Sequence, residues 1–212
     1  MSALESHALS DAPRAAPLAP LYLVRHGETA WSLTGQHTGR LDLPLTPLGE
    51  CNARALAERL ATVRFKCVLT SPLRRVRRTC ELAGFAASAV IDADLTEWDY
   101  GAYQGKTLAQ IRAERPGWDI FRDGCPQGES PAQVAERADR VIARVRAVPG
   151  EVLIFSSGHL LRVLAARWLG FDATLARHLL FDTTAISVLA HERGATAPAI
   201  RLWNDQRHLQ AA

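Results

Sequence analysis

The chain has 212 residues, 48% of them hydrophobic, enough to bury one sizeable core and too few for two comfortable domains. Its 25 basic and 22 acidic residues are spread along the sequence for a formal charge of +3, which excludes a concentrated nucleic-acid surface and suits a small anionic partner. Cys51, Cys67, Cys80 and Cys125 lack CxxC spacing and are too few for a disulfide-stapled fold, so they read as reduced thiols of a cytoplasmic protein.

Residues 1–19 mix Ala, Pro, Ser and charged residues and read as a disordered tail before a single domain over 20–212. Every later apolar run is broken by a charge, so no membrane span is expected. Leu21-Tyr22-Leu23-Val24 predicts a buried strand that ends at Arg25-His26-Gly27, and residues 26–45 read as loop. Thr46-Pro47 caps a helix over about 47–62. Cys67-Val68-Leu69 is a second strand, and Ser71-Pro72 repeats the cap signal before a helix ending near Gly84. A third strand falls at Ala89-Val90-Ile91. Residues 93–130 form an excursion with one short helix near 107–115, where a substrate lid would sit.

Ser130-Pro131-Ala132-Gln133 combines an N-cap, a proline and a capping-box glutamine, opening a helix to about Val148. Val152-Leu153-Ile154-Phe155 is a fourth buried strand, leading through Ser156-Ser157-Gly158 to a helix over 159–169. Segments 185–189 and 199–203 read as strands of a terminal hairpin at one sheet edge, joined by a turn containing Gly194. Alternating strands and helices predict an α/β three-layer sandwich with a mostly parallel sheet, whose ligands gather beyond the carboxyl ends of the strands. Three such ends carry Arg25-His26, Ser71 with Arg74-Arg75, and Leu95-Thr96-Glu97, supplying a nucleophile, a fixed cation and an acid.

Leu23-Val24-Arg25-His26-Gly27-Glu28-Thr29 resembles the RHGE motif of the histidine phosphatase superfamily, which includes the cofactor-dependent phosphoglycerate mutases and many small phosphatases. Residues 70–79 resemble its second motif and residues 95–105 its acid loop, with similarity running from about residue 20 to 203. The resemblance implies a phosphoglycerate mutase-like fold, His26 as a nucleophile phosphorylated in passing, Arg25 and Arg75 as phosphoryl ligands, and Glu97 as proton donor and then base. It implies no metal or cofactor, since the arginines supply the positive charge, and a small phosphorylated metabolite as partner. It places Thr38 among substrate contacts and Glu129 near the pocket. Arg74, Arg77 and Arg78 read instead as a solvated helix face, and Glu28 either orients the first loop or caps a turn.

Two departures alter the expected site. Family members often carry a phosphate-binding Asn after the first-loop Trp, whereas Trp31 is followed by Ser32, which takes that role here. The fourth motif, aligned on Arg162, puts Ser157 where a second pocket histidine belongs; His159 stands two residues on, facing the same side in extended chain and elsewhere if the helix has begun. The leading reading is hydrolysis of a small phosphomonoester. The alternatives are mutase-type phosphoryl transfer, disfavoured by the modest 101–130 insertion, and a phosphate-binding pseudoenzyme that lacks the second histidine.

Overall fold

The computed structural model describes residues 19–192 and 196–209; the expected tail, Ala19 apart, and the turn at Gly194 lie outside the described residues. Alternation along the central strands builds two cores at once. In β1 (Leu21–Arg25) and β4 (Val152–Ser156), Leu21, Leu23, Val152 and Ile154 face one side, while Val24, Leu153 and Phe155 face the other. Helices α6 (Pro131–Arg146) and α7 (Gly158–Trp168) cover the first side, and α2 (Pro47–Leu60) and α3 (Arg74–Leu82) the second. Three layers result, as the sequence predicts.

The sheet has six strands in the order β3-β2-β4-β1-β5-β6. Strands β2 (Cys67–Thr70), β3 (Ala89–Ile91), β4 and β1 run parallel, and β5 (Ile186–His191) and β6 (Pro198–Asp205) add the antiparallel hairpin at one edge. Register aligns Arg25 with Ser156 and Thr70 with Phe155, so the chain leaves β1, β2 and β4 at one level. His26 N–H donates to Ser156 O at 2.9 Å and Ser71 N–H to Phe155 O at 3.1 Å, extending the ladder by one residue into each functional loop.

Local signals set most helix starts. Thr46 accepts from Gly49 N–H above Pro47, and Ser130 forms the expected capping box with Gln133. Three places differ from expectation. Ser71-Pro72 makes a turn instead of a cap: the Ser71 hydroxyl accepts from Leu73 N–H, and α3 opens after Leu73 at Arg74, whose N–H donates to Asp42 Oδ1 from the first loop at 2.6 Å. The loop after β1 contains α1 (Ala30–Thr34), capped reciprocally by Thr29 and Ser32, and the excursion holds α5 (Ile120–Asp123) as well as the expected α4 (Leu108–Glu114). Both extra helices are too short to leave a 3.6-residue pattern. The four cysteines are free, and no helix among the described residues is long and apolar enough to cross a membrane.

Leu56, fully buried on α2 among Val24, Val76 and Phe155, reports on the second core. Leu56→Ala is expected to lower unfolding free energy by about 2–5 kcal/mol. Leu48→Ala, at a position 56% exposed on the same helix, should change it by no more than about 0.5 kcal/mol. Urea titration of both variants checks the assignment, and equal losses would contradict the packing of α2.

Candidate active site

One cleft of about 190 Å³ opens beyond the strand ends, and Arg25, His26, Ser32, Thr38, Arg75, Glu97 and His159 all line it. His26 is fixed from both sides of its ring. Gly27 O accepts from Nδ1 at 2.7 Å and Arg75 Nε–H donates to Nε2 at 3.2 Å, so the proton sits on Nδ1 and the lone pair on Nε2. Burial, with Arg75 and Arg25 beside it, holds the His26 pKa well below the usual imidazole range. The ring is therefore neutral at physiological pH.

Arg75 is buried at 1% exposure, unlike its neighbours Arg74 and Arg77 on the solvent face of α3. Beyond His26 it donates to Gly39 O at 2.8 Å and Leu41 O at 2.7 Å, gathering the loop after α1 around the histidine. Thr79, one turn on, accepts from Gly27 N–H and donates to Arg75 O, which joins α3 to the first loop. Glu28 has an orienting role: Thr46 Oγ1–H donates to its Oε1 at 2.7 Å and Thr46 N–H to its carbonyl. The approach requires glycine at position 49, where a Cβ would lie 2.3 Å from the Glu28 carbonyl oxygen.

Arg25 leaves the end of β1 beneath α7 and donates from Nη1 to Phe181 O, while its buried Nε has no partner among the described residues. A Cβ on Gly158 would come within 3.2 Å of its guanidinium carbon, so a glycine there gives the arginine its room. Glu97 sits at the amino end of α7, its carboxyl accepting from the N–H groups of His159 and Leu160 and from Trp98 N–H. Its loop is held from behind. Arg137 forks onto Glu129 at 2.8 and 2.9 Å and also donates to Asp94 O and Thr96 O, while Glu129 Oε2 accepts from Asp99 N–H. Glu129 thus positions the acid loop and does not line the cleft.

Among the remaining expected residues, Thr38 lines the cleft, but Ser32 uses its hydroxyl for the cap of α1, donating to Thr29 O at 2.9 Å and accepting from Thr29 N–H at 2.8 Å. Ser157 is fully buried and outside the lining, with its Oγ unpartnered among the described residues. Although α7 begins at Gly158, the His159 ring does face the cleft, where its Nδ1 lies 2.5 Å from the Tyr100 hydroxyl. Burial and the nearby Arg162 hold its pKa well below the imidazole range. Sequence reasoning missed Tyr100, Phe181, Thr79 and Arg137. Tyr100 and Thr79 left a signal, their places inside the acid-loop and second motifs; Phe181 and Arg137 act across the fold at separations that no local pattern records.

The lining carries three guanidinium groups, on Arg25, Arg75 and Arg162, against the single carboxyl of Glu97. Such a cleft favours an oxyanion with dispersed charge. Among the described residues no three His, Cys, Asp or Glu side chains are grouped to share a metal ion.

The family model of the histidine phosphatase superfamily, branch 1, matches residues 21–206. The chain belongs to that superfamily and is a phosphatase of the histidine type. It is 38% identical over 184 residues to an acid phosphatase of Mycobacterium tuberculosis, covering 85% of this chain and 90% of that protein. A sedoheptulose 1,7-bisphosphatase of Saccharomyces cerevisiae is 36% identical over 181 residues, covering 70% of this chain and 66% of its own. The solved structure of an open reading frame of Mycobacterium tuberculosis superposes with a TM-score of 0.83 at 35% identity, covering 88% of this chain and 97% of that one.

The buried neutral rings make stability depend on pH with a definite sign. In the unfolded chain His26 and His159 take up protons below about 6.5, whereas in the folded protein they resist protonation. Their contribution is complete above that pH and is lost as pH falls below it. The urea midpoint is expected to drop between pH 7.5 and 5.5, and His159→Gln should shrink the drop. A midpoint that does not move over this range would contradict neutral burial of these rings.

Proposed function

We propose that the protein hydrolyses a small phosphomonoester through a phosphohistidine formed on His26. The observation that carries this reading is the His26 ring itself, neutral, with its Nε2 lone pair in the cleft beside Arg75. Nε2 attacks phosphorus, the N–P bond forms and the P–O bond to the leaving group breaks. Arg75 Nε–H, which donates to Nε2 in the resting site, then turns to a phosphoryl oxygen as that lone pair is consumed. Arg25, with an unpartnered Nε–H, meets a second one.

Glu97 gives its proton to the departing alkoxide. As carboxylate it then takes a proton from water, whose oxygen attacks phosphorus, breaks the N–P bond and releases inorganic phosphate. The N–H groups of α7 keep the carboxyl in one place through both steps. Thr38 and His159 contact the leaving group, and Ser32 turns its hydroxyl from Thr29 O to the phosphoryl group when substrate is bound. Relatives named for acid phosphatase and sugar bisphosphatase activities support a phosphorylated metabolite as the substrate class.

His26→Ala should abolish turnover with the fold intact, and rapid acid-free quenching of the wild type with 32P-labelled substrate should trap label on the peptide containing residue 26. Activity near the wild-type rate in His26→Ala would end the phosphohistidine mechanism. Glu97→Gln should slow alkyl phosphates far more than p-nitrophenyl phosphate, whose leaving group needs no proton; equal losses would remove Glu97 from the acid role.

Ser157 occupies the second-histidine position of the motif, and its short hydroxyl, outside the cleft lining, gives the phosphoryl group no donor in place of an imidazolium. Losing one such donor typically costs about 10²–10³ in rate. Ser157→His is therefore expected to raise kcat, and His159→Ala to lower it strongly if that ring has taken over the contact. Should neither change kcat, position 157 lies outside the phosphoryl site.

A further inference from the structure

A second cavity of about 250 Å³ shares His37, His159 and Arg162 with the catalytic cleft and runs on from it between α4, α5 and the short 3₁₀ helix Ala173–His178. The two imidazoles lie nearly parallel at the junction, their centroids 5.9 Å apart. The cavity lining combines the apolar side chains of Leu108, Trp118, Ile120 and Phe121 with the guanidiniums of Arg112, Arg162 and Arg177. Asp119 is the one carboxylate among the lining residues.

This balance differs from that of the paired surface arginines. On the outer surface Arg140 and Arg144 are paired with Asp94, Arg167 with Asp139 and Arg207 with Asp205. In the cavity Arg162 is held by the carbonyls of Ala176 and Arg177 and by the face of Phe121, with its guanidinium 4.6 Å from the ring centroid. Burial brings its pKa down to about 10, which still leaves it charged at neutral pH. Arg112 donates to Trp118 O. Arg177 approaches Asp119 at 3.4 Å, and its buried Nε has no hydrogen-bond partner among the described residues. Three guanidiniums thus share one carboxylate, and two of them are fixed by contacts that leave their charge uncompensated.

We propose that this cavity is a second anion subsite, which takes a phosphate or carboxylate at the far end of the substrate while its carbon chain lies along Trp118 and Phe121. The assignment rests on the phosphatase reading and narrows it to phosphomonoesters that carry a second acidic group. A ligand of that shape delivers one oxyanion to Arg25 and Arg75 and the other to Arg112 and Arg177, with Arg162 between the two chambers. A neutral leaving group would leave the second set of cations without a partner.

Calorimetric titration separates this subsite from the chemistry. The probes are the bisphosphates of butane-, hexane- and octanediol, the ω-carboxyalkyl phosphates of matching length, and the corresponding ω-hydroxyalkyl monophosphates. At least one probe with two acidic ends should bind the wild type about tenfold or more tightly than its hydroxyl counterpart, the scale of one charged hydrogen bond. The double variant Arg112→Gln, Arg177→Gln should erase that preference while leaving affinity for the hydroxyalkyl phosphate and kcat for p-nitrophenyl phosphate unchanged. Preference for the bisphosphate alone, for the carboxyalkyl phosphate alone, or for both series identifies the anion accepted. Equal affinity of the two-ended and hydroxyl probes at every length, or a preference that survives the double variant, would overturn the subsite. An inactive protein that still shows the arginine-dependent preference would retain the subsite and discard the phosphatase reading.

Discussion

Arg75 is a permanently charged group with almost no access to water, and the surrounding loops converge on it to supply its partners. A guanidinium presents five N–H donors in a plane, and leaving them unmatched in the interior would cost several kcal/mol. Gly39 O, Leu41 O and His26 Nε2 meet three of them, and those contacts bring the loop after α1, the helix α3 and the end of β1 to one point. The same contacts set the chemistry. Donation to Nε2 fixes the tautomer of His26, and burial together with the adjacent positive charge keeps the ring unprotonated, so the requirement to satisfy a buried cation leaves a ring nitrogen with its lone pair turned to the cleft.

The acid loop depends on a second buried pair in a similar way. Arg137 rises from α6, the layer beneath the sheet's other face, and holds Glu129 while its remaining donors reach the carbonyls on either side of Leu95. Breaking such a pair leaves an uncompensated charge in the interior, a loss of about 3–5 kcal/mol. Glu97 is thereby carried by a frame that extends through the helical layer, and its carboxyl finds the free N–H groups at the start of α7 already in position. The groups proposed for catalysis come from loops, yet each loop is tied to a regular element by a charged hydrogen bond.

Much of this was legible in the sequence because it is encoded locally. Apolar runs of three or four residues marked β1, β2 and β4, and Thr46-Pro47 and Ser130-Pro131 marked the starts of α2 and α6. Loops that follow parallel strands gather at one sheet edge, which is how Arg25, Arg75 and Glu97 could be grouped with His26. The roles that escaped notice depend on distance in the chain. Arg137 acts 40 residues after Glu97, and Phe181 enters the cleft from a loop with no periodic pattern. Ser71-Pro72 misled in the opposite sense, because a Ser-Pro pair serves a turn as well as a cap and only the fold decides which. The direction of His159 was not decided by the helix boundary, since α7 begins at Gly158 and the ring still faces the cleft, where Tyr100 from the acid loop meets it.

The unpartnered Nε of Arg25 and hydroxyl of Ser157 have a thermodynamic meaning apart from catalysis. Both are buried polar atoms with no hydrogen-bond partner among the described residues, and an unmatched group of this kind costs about 1–3 kcal/mol. With three guanidiniums lining one small cleft, the empty protein also carries unrelieved repulsion between like charges. An oxyanion entering the cleft gives Arg25 Nε a partner and relieves this repulsion, so its binding energy is partly relief of stress that the native state already holds. Inorganic phosphate, the product, is then also a folding ligand.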